Sequence, residues 1–372
     1  MSTQVQEMIN WLEQHLLGEF SLAELGRSVG YSPYYCSFLF RHHTGISMKR
    51  YIQLRRTFLS SIRLAETEER IIDIAVEHGY SSQEAFSRSF KDIFGVTPHA
   101  FRQHPQPLQS YIQLNIDPYG RELTMDISSK QGIEQLQQHV ESLYEHQILN
   151  VLNGQTMYEQ FKAQQWMGGS DYVPFNEAMC VHETTEDIFS DSFCKVRAQG
   201  HHISREQYEV VTLQPLQMLN DNEYRCIVLW FGEDMFCQIN LLTMLAYLEQ
   251  IGFQGTVYFN AVQEQTYEVK QTELQLGSFT GIYRQVLLNR SMPPQQLLPV
   301  MYQGIRLYLN LQQPDNEITA YIRSHPAESA ESLMRKMLSL FTHYGLGDTQ
   351  YMELIVSVRQ SSVSAPDSRD HQ

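Results

Sequence analysis

Along the first hundred residues, apolar positions recur three and four apart, the spacing that places them on one side of a helix. Val5, Met8, Leu12 and Leu16 form the first such series and predict a packed helix. Two later stretches share one plan: Ser21 to Gly45 reads SLAELGRSVGYSPYYCSFLFRHHTG, and Ile71 to Gly95 reads IIDIAVEHGYSSQEAFSRSFKDIFG. Gly30-Tyr31-Ser32 aligns with Gly79-Tyr80-Ser81, Phe40 with Phe90, and Gly45 with Gly95. Each stretch predicts a short helix, a glycine turn and a second short helix.

Capping chemistry sharpens these limits. Ser21 with Glu24 makes a capping box, in which side-chain oxygens satisfy the free N–H groups of a helix start. Leu22, Ala23, Leu25 and Val29 supply the buried stripe, and Gly30 can take the left-handed conformation that ends the helix. Ser32 caps the next helix, with Pro33 suited to its first turn because proline has no N–H to leave unpaired. In the second copy Ile72, Ala75 and Val76 repeat the stripe, Ser81 pairs with Glu84 as the cap, and Phe86 and Phe90 face the core. Left outward are Tyr34, Ser37, Phe38 and Arg41 in the first copy, and Gln83, Glu84, Ser87, Arg88 and Lys91 in the second. Most of these groups can meet base edges or phosphates, so the doubled helix-turn-helix reads as two wedges for one DNA duplex.

Between the copies, Met48 to Ala65 predicts one long helix, with Tyr51, Ile52, Leu54, Phe58 and Ile62 on its apolar side. Arg50, Arg55, Arg56 and Arg63 lie along it, either solvated and paired with Glu66, Glu68 and Glu69 or touching phosphate. Thr97-Pro98 starts a last short helix through Phe101 and Arg102, and Pro105 and Pro107 close the region.

The remainder changes rhythm. Residues 104–130 read as a linker with weak alternation (Tyr111, Gln113, Asn115) and a turn at Pro118-Tyr119-Gly120. Gly132 to His146 is an amphipathic helix (Ile133, Leu136, Val140, Leu143), better packed on its own domain than used as a dimer contact. Strands are expected at Ile148 to Leu152, Tyr224 to Phe231 and Gly255 to Val262, with helices after the first (through Phe161) and at Leu241 to Ile251. Strand, helix, strand implies a parallel sheet with a right-handed crossover. Asn153-Gly154 and Glu233-Asp234 would then stand at the carboxyl ends of strands, where ligands gather in such sheets. Helices return at Gln295 to Leu309, Ile318 to Ser324, Glu331 to Tyr344 and Thr349 to Val358. The expected fold is therefore multidomain: an all-α tandem helix-turn-helix domain (5–103), the linker (104–130), an α/β domain with a parallel or mixed sheet (131–292), a helical segment (293–358) and a disordered tail (359–372).

Charge and composition narrow the chemistry. The net charge of -15 over 372 residues argues against nucleic acid until its distribution is seen. Residues 1–105 hold eleven Lys/Arg against eleven Asp/Glu, so the excess acid lies after them. A neutral module can still bind DNA where its cations share a face, with a strong salt dependence. The five cysteines are far apart and lack a C-x-x-C, which suggests reduced thiols. No leader-like segment or bilayer-length apolar run stands out, so a cytoplasmic protein without membrane contact is expected. His182, Glu183, His201 and His202, with Ser204 nearby, lack the spacing of a metalloprotease or nucleophile motif. No catalytic residue, metal site or cofactor is expected from them. Trp166, Trp230, Phe231, Tyr258 and Phe259 read as core; Trp230, with Asn153, Glu233 and Asp234, is also a candidate lining for an effector pocket.

Several elements in order carry a resemblance: Tyr51-Ile52, Leu54-Arg55, Ile74-Ala75, Gly79-Tyr80, Ser87-Arg88-Ser89-Phe90-Lys91, Gly95-Val96-Thr97-Pro98 and Phe101-Arg102. Over residues 5–103 the chain resembles the DNA-binding domain of the AraC/XylS family of bacterial transcription regulators. The resemblance implies recognition helices in successive major grooves, with Tyr34, Ser37 and Phe38 reading in the first and Gln83, Glu84, Ser87 and Arg88 in the second. Phe38 departs from the polar residue common there, and can touch a thymine methyl but not hydrogen-bond a base. ILNVLNG, LWFGEDMFCQINLLTMLAYL and GLGDTQYMELI resemble a bacterial domain family of unknown function labelled 1835, which implies a fold and no chemistry. Gln155 stands where that pattern often has an acid. The expectation is a sequence-specific transcription regulator with a C-terminal sensing or assembly domain; activator is the sign chosen, with repressor left open by the sequence. Its expected partners are double-stranded promoter DNA, RNA polymerase, a small-molecule effector and a second copy of the chain. The alternative is an enzyme or cofactor-binding α/β protein tethered to DNA.

Overall fold

The computed structural model describes residues 2–116, 127–220, 223–263 and 269–363. They fall into two compact units that do not follow chain order. The first takes in the described residues of Met1–Pro105, Ser110–Arg121 and Asn310–Gln372; the second those of Gln106–Gln109 and Glu122–Leu309.

In the first unit, α1 (Ser2–Gln14) buries Val5, Met8 and Leu12 as its spacing requires, and Leu16 beyond it joins the same core. That core also holds Leu25 of α2 (Leu22–Val29), Cys36, Leu39 and Phe40 of α3 (Pro33–Thr44), and Met48, Tyr51 and Ile52 of α4 (Met48–Glu66). The second motif, α5 (Ile71–Glu77) and α6 (Gln83–Phe94), is completed by α7 (Pro98–Gln103). Its core is a cluster of rings, Phe90 lying 5.6 Å from Phe86, 4.9 Å from Phe94 and 5.6 Å from Phe101.

α4 ties the motifs together. Arg55 forms a two-pronged ion pair with Glu13 of α1 (Nε–Oε1 2.8 Å, Nη2–Oε2 2.7 Å), and Tyr51 donates to the same carboxylate. Arg56 donates to the carbonyls of Leu16 and Gly18 and, at 3.4 Å, of Gly79 in the second turn. A Cβ on Gly79 would lie 2.5 Å from that guanidinium, and its φ of +73° also favours glycine. Gln53 donates to Ser89 at 3.0 Å, and the Thr57 and Tyr80 hydroxyls are 2.6 Å apart. Of the acidic partners expected for this helix, only Glu69 is taken up, by Arg63. Arg55 instead meets a carboxylate that folding delivers from another helix.

Three expectations in this unit are corrected. The cap of α6 is Ser82, whose Oγ accepts from Ala85 N at 3.2 Å, not Ser81. Val76 is 60% exposed and Ile74 is buried in its place; the two stand about 200° apart round the helix, so both cannot face the core. Ile62 is likewise exposed, while Ser60, Ser61 and Leu64 take the inner side of α4.

In the second unit the strands β1 (Ile148–Leu152), β2 (Asp171–Pro174), β3 (Cys226–Gly232), β4 (Thr256–Val262) and β5 (Val269–Leu274) form a sheet of order β2-β1-β3-β4-β5. The first four are mutually parallel and β5 is antiparallel to β4, so the sheet is mixed. α8 (Ile127–Tyr144) and α9 (Gly154–Ala163) supply Ile133, Val140 and Phe161 to a core with Ile148, Leu152, Val228 and Trp230. The crossover helix Met235–Gln250 is buried along nearly its whole length, as expected of a helix apolar all round.

The helix 132–146 starts earlier, at Ile127, and the helix expected from Leu241 starts at Met235 because Asp234 caps it. Residues 106–116 contain no strand; Leu114 and Ile116 pack on the first core. The Pro118-Tyr119-Gly120 turn lies outside the described residues. The last helix, Asp348–Val363, runs past the point where a disordered tail was expected, and 364–372 lie outside the described residues.

Candidate nucleic-acid interface

The second helix of each motif, α3 and α6, is fixed at both ends before its face is set. Ser32 Oγ accepts from Tyr35 N at 3.2 Å, Pro33 opens α3, and Gly45 at φ 77° closes it. With Cys36, Leu39 and Phe40 inward, Tyr34 is 83% exposed and Phe38 54%, beside exposed Ser37 and Arg41. Large aromatics bared to that degree on one helix face mark a contact surface. Along α6, Phe86, Phe90, Ile93 and Phe94 are buried, which turns Gln83, Glu84, Arg88 and Lys91 outward with Ser87 half-buried. Arg41, Arg88 and Lys91 have no ion pair among the described residues, so their charge is open to a phosphate or base. The Glu84 backbone N–H and the Ser82 hydroxyl hold the Glu84 carboxyl below its ordinary value.

The strand-end residues are only partly brought together. Asn153 stands before α9 and donates to Cys237 Sγ at 2.9 Å; Asp234 Oδ1 accepts from Cys237 N at 2.9 Å. Burial pushes the Asp234 carboxyl up, against hydrogen bonds from Cys237. Glu233 is half-buried beside it. Trp230 is elsewhere: fully buried, with Nε1 donating to Asn150 Oδ1 at 2.8 Å and its ring edge-on to Phe161.

Sequence reasoning missed the most polar part of the interior. Glu177 takes a forked contact from Arg197 (Nη2–Oε1 2.6 Å, Nε–Oε2 3.2 Å), the Ala178 N–H at 2.8 Å, His201 Nε2 at 2.7 Å and the Tyr208 hydroxyl. Burial alone would raise the Glu177 carboxyl, but the His201 hydrogen bond and the Arg197 charge hold it far below the usual carboxylate range. Arg197 also donates to the carbonyls of Val181, Ala178 and Glu183. With both carboxylate oxygens engaged, the cluster is a satisfied network that braces this part of the interior. Of the expected group, His201 takes part through its ring, with His182 edge-on to it at 4.9 Å, and Glu183 through its carbonyl; no group of three metal-ligating side chains occurs among the described residues. No described helix is long and apolar enough to cross a membrane.

A family model described as a helix-turn-helix domain matches residues 25–104. Over 173 residues the chain is 29% identical to the uncharacterized HTH-type transcriptional regulator YbfP of Bacillus subtilis, covering 44% of this chain and 59% of that protein. It is 36% identical over 98 residues to the regulatory protein SoxS of Salmonella typhimurium, covering 26% of this chain and 92% of that protein. It is 32% identical over 103 residues to the transposon Tn10 TetD protein of Escherichia coli, covering 28% of this chain and 75% of that protein. The chain thus spans 59% of the length of the Bacillus relative, less than two thirds. Through its tandem helix-turn-helix domain the chain belongs to the AraC-type transcription regulators.

Proposed function

We propose that this regulator reads a specific promoter site with α3 and α6 in adjacent major grooves, and that its second unit senses a small-molecule effector or mediates assembly. Tyr34, Ser37, Phe38 and Arg41 serve the first groove, and Gln83, Glu84, Ser87, Arg88 and Lys91 the second. The observation that carries this reading is the yoke of α4, whose 19 residues span about 28 Å, comparable to the roughly 34 Å between successive major grooves. The hydrogen bonds of Gln53, Arg56 and Thr57 to the second motif support joint rather than independent engagement.

The sensing role is supported by topology. The order β2-β1-β3-β4-β5 reverses direction between β1 and β3, and ligands of open parallel sheets settle at the carboxyl ends of strands at such a switch point. Asn153, Glu233 and Asp234 belong to that edge; Trp230 is left to the core. The kinship of residues 147–357 to the family labelled 1835, action in the cytoplasm, activation through RNA polymerase and self-association are parts of the same proposal.

Footprinting on DNA upstream of the protein's own gene tests the reading, with protection of two major grooves on one face as the expected result. In the same assay Arg88→Ala should weaken binding to the protected site by about 1–3 kcal/mol and leave random duplex unaffected. An equal loss on both would move Arg88 from base reading to the phosphate backbone.

A further inference from the structure

Beyond the C-terminal limit of the family match, the first unit contains the helices Glu317–Ser324, Ala330–Leu340 and Asp348–Val363. The match to SoxS uses 98 residues of this chain and 92% of that protein, which leaves that relative no room for them. Here residues at the ends of the first two meet α3. The His325 ring stacks on His42 of α3 with centroids 4.2 Å apart and planes 24° from parallel. His42 stacks in turn on Phe38 at 5.7 Å and 11°. Behind His325 come Tyr321 at 4.3 Å and Phe341, edge-on to Tyr321 at 5.4 Å. A column of five rings therefore runs from the exposed reading face into the C-terminal helices. A Cβ on Gly45, at the end of α3, would lie 3.0 Å from Phe341 Cζ, so the backbone itself abuts this segment.

We infer that His325, with Tyr321 and Phe341 behind it, is a positioning residue for base reading by α3, and that the reader is built from both ends of the chain. Phe38 offers a base no hydrogen bond, only contact with an apolar edge such as a thymine methyl, and contact energy falls steeply with misplacement. The side chain is more than half exposed, so its own surroundings hold it weakly. The stack behind it supplies the fixed geometry: His325, Tyr321 and Phe341 are all buried, and His325 Nδ1 lies 2.9 Å from the Tyr321 carbonyl.

The inference rests on α3 being a DNA-reading helix, and the test separates the two. Preferred duplexes are selected from random sequence with the full-length wild type, and with Arg41→Ala, His325→Ala and His325→Phe. Arg41→Ala identifies the base positions that α3 governs. At those positions His325→Ala should flatten the preference and weaken binding roughly threefold to tenfold, the worth of one aromatic pair. Positions governed by α6, located with Arg88→Ala, should keep theirs. His325→Phe, which keeps a stacking ring, should restore the wild-type preference. A uniform loss over the whole site, no loss, or no recovery with phenylalanine overturns the positioning role. If Arg41→Ala itself changes no position, the DNA-reading assignment of α3 fails instead. If His325→Ala lowers the thermal midpoint too far to assay, His42→Ala and His42→Phe put the same question from the other side of the stack.

Discussion

Replacing Glu177 by alanine is expected to destabilise the α/β unit by about 3–5 kcal/mol, because it leaves the Arg197 guanidinium buried without a counter-charge. Both side chains are fully inaccessible to water. Arg197 would keep its three carbonyl contacts, and these satisfy donors without neutralising charge. The double replacement Glu177→Leu with Arg197→Met should recover much of the loss, since apolar side chains of similar volume often match a buried pair. Acid should act in the same direction. The Glu177 carboxyl is depressed from an ordinary value of 4.5, so its contribution is complete above that value and is lost as pH falls through the lower folded value. Chemical denaturation with a probe in the second unit, at neutral pH and in steps below pH 4.5, measures both effects. A Glu177→Ala protein as stable as wild type would mean that the pair is not buried as described.

This cluster also shows where reading from sequence stops. The helices, their glycine ends and most of their caps were legible, because each depends on residues within one or two turns: Ser21, Gly30, Ser32-Pro33 and Thr97-Pro98 all act as their chemistry requires. The side-chain partners of Glu177 are 20, 24 and 31 positions away, on or beside the short helices Asp191–Gly200 and Arg205–Tyr208, and no local pattern links them to Glu177. Adjacent serines show the same limit on a smaller scale. Ser81 and Ser82 offer identical capping chemistry, and the inward direction of Phe86 and Phe90 selects the second. β5 escaped notice because it is short and mostly polar, Val269 to Leu274 reading VKQTEL. The C-terminal helices were legible as helices. The place of two of them beside α3 was not, since it depends on pairings such as His42 with His325, far apart in the chain.

The tandem helix-turn-helix domain has its own critical ring. Phe90→Ala should destabilise the second motif by about 3–5 kcal/mol, the range for deleting a buried phenylalanine ring. Phe90 is completely buried and touches rings from α6 on either side and from α7 across the core, so its loss opens a cavity between helices that cannot close without moving α6. Specific binding should fall with it, because Gln83, Arg88 and Lys91 are aimed only as well as α6 is held. Phe38→Ala is the contrast: the same side chain removed from an exposed site should change stability by no more than about 0.5 kcal/mol while still weakening promoter binding. Thermal denaturation and gel-shift titration of both variants, done well below the midpoint of the weaker one, separate folding from reading. If Phe90→Ala bound the selected site with undiminished affinity, α6 could not be the helix that enters the second groove.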